Sequence, residues 1–291
     1  METKDLLKRV KNIEIKTRGL SRQIFSGHYH SAFKGKGMAF SEVREYQIGD
    51  DVRSIDWNVT ARFGHPFVKI FEEERELTVM LLIDVSGSNS FGTRKQFKEQ
   101  MIAEIAAVLS FSAINNNDKV GVIFFSDQVE KFIPPKKGRT HTLRIIREII
   151  DFNPGSQKTN VSEALRFLTN AIKKRSTAFV ISDFIDQSYD KALTIANNKH
   201  DVVAIRITDP AEQILPKIGL VKFQDAETGE IRWIDTNDKE TTEKHFKWWH
   251  DLNEKFNTFT NKSGVDHIEI PVNRDFIKPL VNLFKIRESR F

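Results

Sequence analysis

The 291-residue sequence has no cysteine. A disulfide framework, a thiolate zinc site, an iron–sulfur cluster and a thiol nucleophile are therefore excluded, and the composition fits a reducing compartment. No run of about 18 apolar residues is present, so no transmembrane helix is expected. The opening Met1-Glu2-Thr3-Lys4-Asp5-Leu6-Leu7 lacks the apolar stretch of a signal peptide, and the cytoplasm is the expected location. Charge of one sign is also scarce. Forty-five Lys and Arg stand against 40 Asp and Glu, a net of +5, which does not argue for nucleic acid or an anionic membrane as partner. Tyrosine is nearly missing, at 3 against 23 Phe. That balance points to a core built on Phe, because binding faces favour Tyr and Trp. A glycine-rich phosphate loop and a Gly-x-Ser-x-Gly elbow are both absent, so ATP hydrolysis and nucleophile-elbow chemistry are not expected.

The length suggests about two domains, and the character of the chain changes near residue 76. Residues 1–36 carry nine Lys/Arg and three acids, a net of +6. Leu6, Leu7, Val10 and Ile13 predict a helix over 2–15, and Gly27, Gly35 and Gly37 then break the pattern. Residues 38–75 are turn-rich, with a tight turn at Gly49-Asp50-Asp51 and a strand over 66–71. The charges Arg44, Glu45, Asp50, Asp51, Arg53, Asp56 and Arg62 read as ion pairs fixing irregular backbone. His28 and His30 have the i,i+2 spacing of one strand face, but no matching metal partner is visible. A turn-rich N-terminal module over 1–75 is thus expected before a larger domain over 76–291.

Leu77–Ile83 is a continuous apolar run ending at Asp84, as in a strand buried on both faces of a parallel sheet. A helix follows over 93–114, with Phe97, Met101, Ile105, Val108, Leu109 and Ser112 on one stripe. Further strands are expected at 120–125, 129–133 (closed by Pro134-Pro135), 177–182, 202–207 and 267–270. Helices are expected at 140–151, 160–174, 188–198, 239–261 and 274–287. A β-hairpin is read at 218–236. In the 239–261 helix Trp249 joins Leu252, Phe256 and Phe259 on the inner stripe, whereas Trp248 falls outside it. Strand–helix repetition with one inserted hairpin predicts an α/β fold: a doubly wound, mostly parallel sheet with helices on both faces.

Ligands of such sheets bind beyond the carboxyl ends of the strands. Three polar segments fall there: Asp84-Val85-Ser86-Gly87-Ser88, Ser156-Gln157-Lys158-Thr159-Asn160 and Ser182-Asp183. Their side chains offer oxygen donors without imidazole or thiolate, the kit of a hard cation such as Mg²⁺, with Mn²⁺ or Ca²⁺ as alternatives. Hydroxyls with few carboxylates leave such an ion under-neutralised, ready to accept a carboxylate from another molecule. Taken singly, Thr159 is an N-cap candidate for the next helix, and Asp84 and Asp183 are turn or capping candidates.

Asp84, Ser86, Ser88, Thr159 and Asp183 together resemble the metal-ion-dependent adhesion site of von Willebrand factor type A domains, a likeness spanning about 76–291. It implies Ser86 and Ser88 as direct ligands and Thr159 as direct or water-mediated. Asp84 and Asp183 would act mainly through water, with the partner supplying an acidic side chain. In this chain Thr159 follows Gln157-Lys158 rather than a glycine-rich turn.

A second run also carries a resemblance: Ser26-Gly27-His28-Tyr29-His30-Ser31, Gly35-Lys36-Gly37-Met38-Ala39-Phe40, Glu42-Val43-Arg44-Glu45-Tyr46, Gly49-Asp50-Asp51-Val52-Arg53-Ser54-Ile55-Asp56-Trp57 and Thr60-Ala61-Arg62. With the tail at Lys285-Ile286-Arg287-Glu288-Ser289-Arg290, it resembles the bacterial domain-of-unknown-function family 58. That likeness implies a MoxR-type AAA+ ATPase, or its client, as partner. The expected role is a non-enzymatic adaptor in complex assembly, maturation or stress response, without nucleic-acid binding or membrane insertion. The alternative is a metal-dependent phosphoester hydrolase using the same aspartates.

Overall fold

The computed structural model of the chain describes residues 10–14, 17, 39–72, 76–87, 98–186, 188–224, 229–272 and 274–290. The chain divides into two compact units, Lys34–Glu76 and Met1–Phe33 with Leu77–Phe291. This differs from a single module over 1–75. The physical reason lies in three residues near the start. Val10 and Ile13 are buried in the core of the larger unit, and Glu14 forms an ion pair with Arg139 of that unit. His28, Tyr29 and His30 lie outside the described residues.

The small unit is held by hydrogen bonds and charge more than by a core. Strands β1 (Ala39–Glu45) and β2 (Phe67–Glu72) pair antiparallel, with a bulge between Phe40 and Glu42. The connection holds helix α1 (Trp57–Phe63), capped by the Asp56 carboxylate, which accepts from Asn58 N and Val59 N. The helix ends at Gly64, whose φ of 77° is the left-handed conformation glycine adopts at low cost. Arg44 donates both terminal nitrogens to Asp50 at 2.7 and 2.8 Å, and Asp51 accepts from Arg53 N. The dense charges of this stretch therefore brace turns that lack a ladder of their own. Strand β1 and helix α1 escape the sequence patterns because neither has a clean apolar period.

In the larger unit, six strands form one sheet in the order β10-β7-β6-β3-β4-β5. They are β3 (Thr78–Asp84), β4 (Lys119–Phe125), β5 (Val129–Lys136), β6 (Thr177–Ser182), β7 (Asp201–Thr208) and β10 (Asp266–Pro271). All neighbours are parallel except β5, which runs antiparallel to β4 at the edge. The expected end of this strand at Pro134-Pro135 is displaced: β5 includes both prolines, which an edge strand tolerates because their missing N–H groups need no partner. Gly121 in β4 permits the close approach of this edge, since a Cβ there would sit 2.9 Å from Ile133 O and Pro135 N.

The central strands bury side chains in both directions. Val79, Leu81 and Ile83 enter one apolar cluster, and Met80 and Leu82 enter the other. The first is covered by α2 (Lys98–Asn115), α3 (Arg139–Ile150) and α8 (Ile277–Glu288). The second is covered by α4 (Val161–Ala171), α5 (Asp190–Lys199) and α7 (Lys239–Lys262). Each fully buried Leu or Ile contributes about 1.5–3 kcal/mol, so this double-sided strand fixes the architecture. Helix α2 departs from the expected single stripe, as nearly every residue from Met101 to Ala113 is buried. Trp249 is buried and Trp248 is 43% exposed.

A short helix, α6 (Pro210–Gln213), follows β7. Strands β8 (Leu220–Gln224) and β9 (Ile231–Asp235) form a separate hairpin before α7. Among the described residues, no helix is long and apolar enough to cross a membrane.

Candidate cation site at the carboxyl ends of the strands

The strand order reverses between β3 and β6. From β3 the chain first builds toward β4 and β5, then returns to build β6, β7 and β10 on the other side. Such a switch point leaves a crevice beyond the strand ends. Ile83 pairs with Ile181 in the ladder, so Asp84 and Ser182 face each other at the crevice mouth. The Ser182 hydroxyl donates to Asp84 Oδ2 at 2.5 Å, and Ser86 N donates to Asp84 Oδ1 at 2.9 Å. Asp84, Ser86, Ser182 and Asp183 are all buried. The loop after β3 is tied down by Val85 N to Phe125 O and by Gly87 N to Gln157 O, both 2.9 Å. The second bond brings the 156–160 segment to the same mouth.

Of the five expected ligands, the structure gathers Asp84, Ser86 and Asp183. Thr159 is half-buried in the adjoining segment. It is not the cap of α4. Asn160 is, its side chain accepting from Glu163 N at 3.1 Å. Ser88 lies outside the described residues.

The electrostatics are unusual for a core. Burial, and then the charge of Asp183, push the Asp84 carboxyl up to about 7, against the smaller opposing effect of its hydrogen bonds. Two carboxylates are thus buried where they repel one another. Beside them, the fully buried Lys98 ammonium sits 3.1 Å from Asp183 Oδ2 and 2.7 Å from Glu212 Oε1. Burial alone would lower the Lys98 pKa, but these two acids outweigh it and hold the ammonium charged. Arg206 is buried in β7 and donates through Nε to the Asp183 carbonyl at 3.1 Å. Its guanidinium lies over the Phe256 ring, and its two terminal nitrogens have no hydrogen-bond partner among the described residues.

Lys98, Arg206 and Glu212 were not singled out by sequence reasoning. For Lys98 a signal existed, because it falls on the i, i+3, i+4, i+7 stripe with Met101, Ile102 and Ile105, where a lysine is out of place. Its position in the first turn of a helix, where acids are favoured, points the same way.

Among the described residues, no group of three or more His, Cys, Asp and Glu is gathered as a ready metal cage. A set of hydroxyls with few carboxylates is a different kind of site. Its donors are all oxygen, and its two carboxylates lack a full complement of positive charge. Both features fit a hard divalent cation that keeps part of its water shell. Asp183 would then be shared between that cation and Lys98.

Comparison with known proteins bears on the family and the fold. The model of "Protein of unknown function DUF58" matches residues 42–251. An uncharacterized protein of Mycobacterium tuberculosis is 32% identical over 212 residues, 72% of this chain and 67% of that protein. Among solved structures, an aerotolerance-related membrane protein from Bacteroides fragilis is similar with a TM-score of 0.50 at 14% identity, over 74% of this chain and 100% of that one. The VWA domain of SpRpn10 matches with a TM-score of 0.38 at 13% identity, over 72% and 95%. The fold of the Bacteroides fragilis protein is thus the one this chain resembles, and in the larger unit it is a mostly parallel sheet, covered by helices on both faces, with one antiparallel edge.

Proposed function

We propose, from the premise that the chain belongs to the DUF58 family, that it is a non-enzymatic adaptor which holds a partner through a divalent cation. The observation that carries this reading is the buried pair Asp84 and Asp183 at the topological switch point, with the Ser86 hydroxyl beside them. Asp84, Ser86, Ser88, Thr159 and Asp183 would hold the ion, Mg²⁺ by preference. When bound, it supplies an open coordination position for a carboxylate of the partner.

The chain's own residues make the site rigid. Ser182 and the Ser86 amide fix both oxygens of Asp84, and Lys98 fixes Asp183 while anchoring it to Glu212. Such a site selects a partner by charge and geometry and does not itself activate a bond. The partner we propose is a MoxR-type AAA+ ATPase, whose work on client proteins places the adaptor in the cytoplasm, where ATP is available.

The test uses the tagged protein and its Asp84→Ala variant in native lysate, each with Mg²⁺ and with EDTA. An AAA+ ATPase retained only by the wild type in Mg²⁺ is the expected result. Retention in all four conditions would overturn the cation bridge, and retention in none would overturn the partner. Phosphoester turnover by the purified protein, lost in Asp183→Ala, would overturn the non-enzymatic reading.

A further inference from the structure

The larger unit opens a groove of about 490 Å³ between the segment after α6 and the first half of α7. Ile214 and Leu215 line one side and Phe246 the other. Ile214 and Phe246 are 68% and 65% exposed. The volume lies in the range of about 300–1,000 Å³ typical of ligand-binding clefts. Single exposed apolar residues are ordinary; here two large ones line the same groove.

The groove and the cation site are joined by named contacts. Lys98 bridges Asp183 to the Glu212 carboxylate in α6. The backbone carbonyl of the same Glu212 is 2.7 Å from Nε2 of His245 in α7. Phe246 follows directly, and Ile214 lies two residues beyond Glu212. The wall of the groove is therefore tied through Glu212 and Lys98 to Asp183 of the cation site.

The charge of the groove identifies what fits it. Lys217 and Lys247 line it, are exposed, and have no ion pair among the described residues. Glu243 is the opposing charge, one turn before Lys247. Of the other charges in this part of α7, Glu240 and Lys244 are paired with one another. An apolar floor with two uncommitted ammonium groups complements a helix with one apolar face and flanking carboxylates.

We propose that this groove docks an acidic amphipathic segment of the partner protein. The inference deepens the adaptor reading, resting on it only in assigning one partner to both sites. It is tested by selecting random 16-residue peptides displayed on phage against the wild type, with counter-selection on Ile214→Ser/Phe246→Ser. All four groove positions to be changed are exposed, and thermal denaturation checks that each variant is folded.

The expected result is enrichment of peptides with net negative charge and apolar residues at helical spacing. Their binding should weaken about tenfold or more in Ile214→Ser/Phe246→Ser and in Lys217→Glu/Lys247→Glu. Failure to enrich anything over the counter-selection would overturn the proposal, as would enrichment of basic or uncharged peptides. A wild type that dimerises in sedimentation, and becomes monomeric in Ile214→Ser/Phe246→Ser, would assign the groove to a second copy and also overturn it. Measuring the enriched peptides on Asp84→Ala in EDTA separates the two readings. Peptide binding that persists there while AAA+ retention shows no Mg²⁺ dependence would sustain the groove and sink the cation bridge.

Discussion

The two ends of the sheet treat buried charge in opposite ways. At the amino end, Arg287 of α8 donates to Asp201 and Asp266 at the starts of β7 and β10, and Arg290 adds a second cation on Asp266. His200 shares a hydrogen bond with Ser176, and Asp118 accepts from Leu77 N. Each acid meets a donor from a neighbouring segment, and Asp201 and Asp266 keep some contact with water. At the carboxyl end, Asp84 and Asp183 repel one another, Asp183 shares Lys98 with Glu212, and Lys98 and Arg206 are the buried cations there among the described residues. The first arrangement closes on itself and serves the fold. The second leaves carboxylate charge in surplus at the place where α/β sheets bind ligands, and that surplus is what a cation would neutralise.

The comparison breaks most sharply at Lys98. Replacing it in Lys98→Met leaves Asp183 and Glu212 buried without their counter-ion, and urea denaturation should show a loss of about 3–5 kcal/mol. A loss below about 1 kcal/mol would mean that the ammonium is not what holds the two acids. The next effect belongs to the amino end. Burial, helped by the positive Lys199 and Arg175, pushes the His200 imidazole down to about 4. It stays neutral in the fold while the unfolded chain protonates near 6.5, so its contribution is complete above 6.5 and is lost as pH falls toward 4. The loss should be on the order of 3 kcal/mol, and His200→Gln should flatten that part of the stability–pH curve.

Arg287→Met should cost about 1–3 kcal/mol, less than Lys98→Met because Asp201 and Asp266 can turn to water. Equal losses for the two variants would erase the distinction between the ends. The smallest change is expected from Asp84→Asn without added metal, within about 1 kcal/mol. The amide keeps an acceptor for Ser86 N and relieves the repulsion from Asp183.

The carboxyl-end half of this contrast was legible in the sequence. The largely apolar stretches Leu77–Ile83 and Thr177–Ser182, each followed by an acid, identify β3 and β6 as buried parallel strands, because only a strand covered on both faces dispenses with polar alternation. That pattern in turn places Asp84 and Asp183 at one edge. The small unit was less legible. Strand β1 (AFSEVRE) and helix α1 (WNVTARF) hold their shape through Asp56, Asp50 and Arg44, and such partners leave no periodic trace. Lys98 and Glu212 form their pair across 114 positions of sequence. A misplaced lysine on a buried stripe could be noticed in advance, but its partner could not. Asn160 displaced Thr159 as cap of α4 by a single position, a margin that spacing alone does not resolve.

The central claim is that the carboxyl-end carboxylates hold a divalent cation. Its most direct test is titration of the purified protein with Mn²⁺, followed by electron paramagnetic resonance as the free-ion signal is lost. The wild type should take up one equivalent, displaced by excess Mg²⁺, and Asp84→Asn should bind at least about tenfold more weakly. A wild type that leaves the free Mn²⁺ signal untouched, or an Asp84→Asn variant that binds as the wild type does, would contradict it.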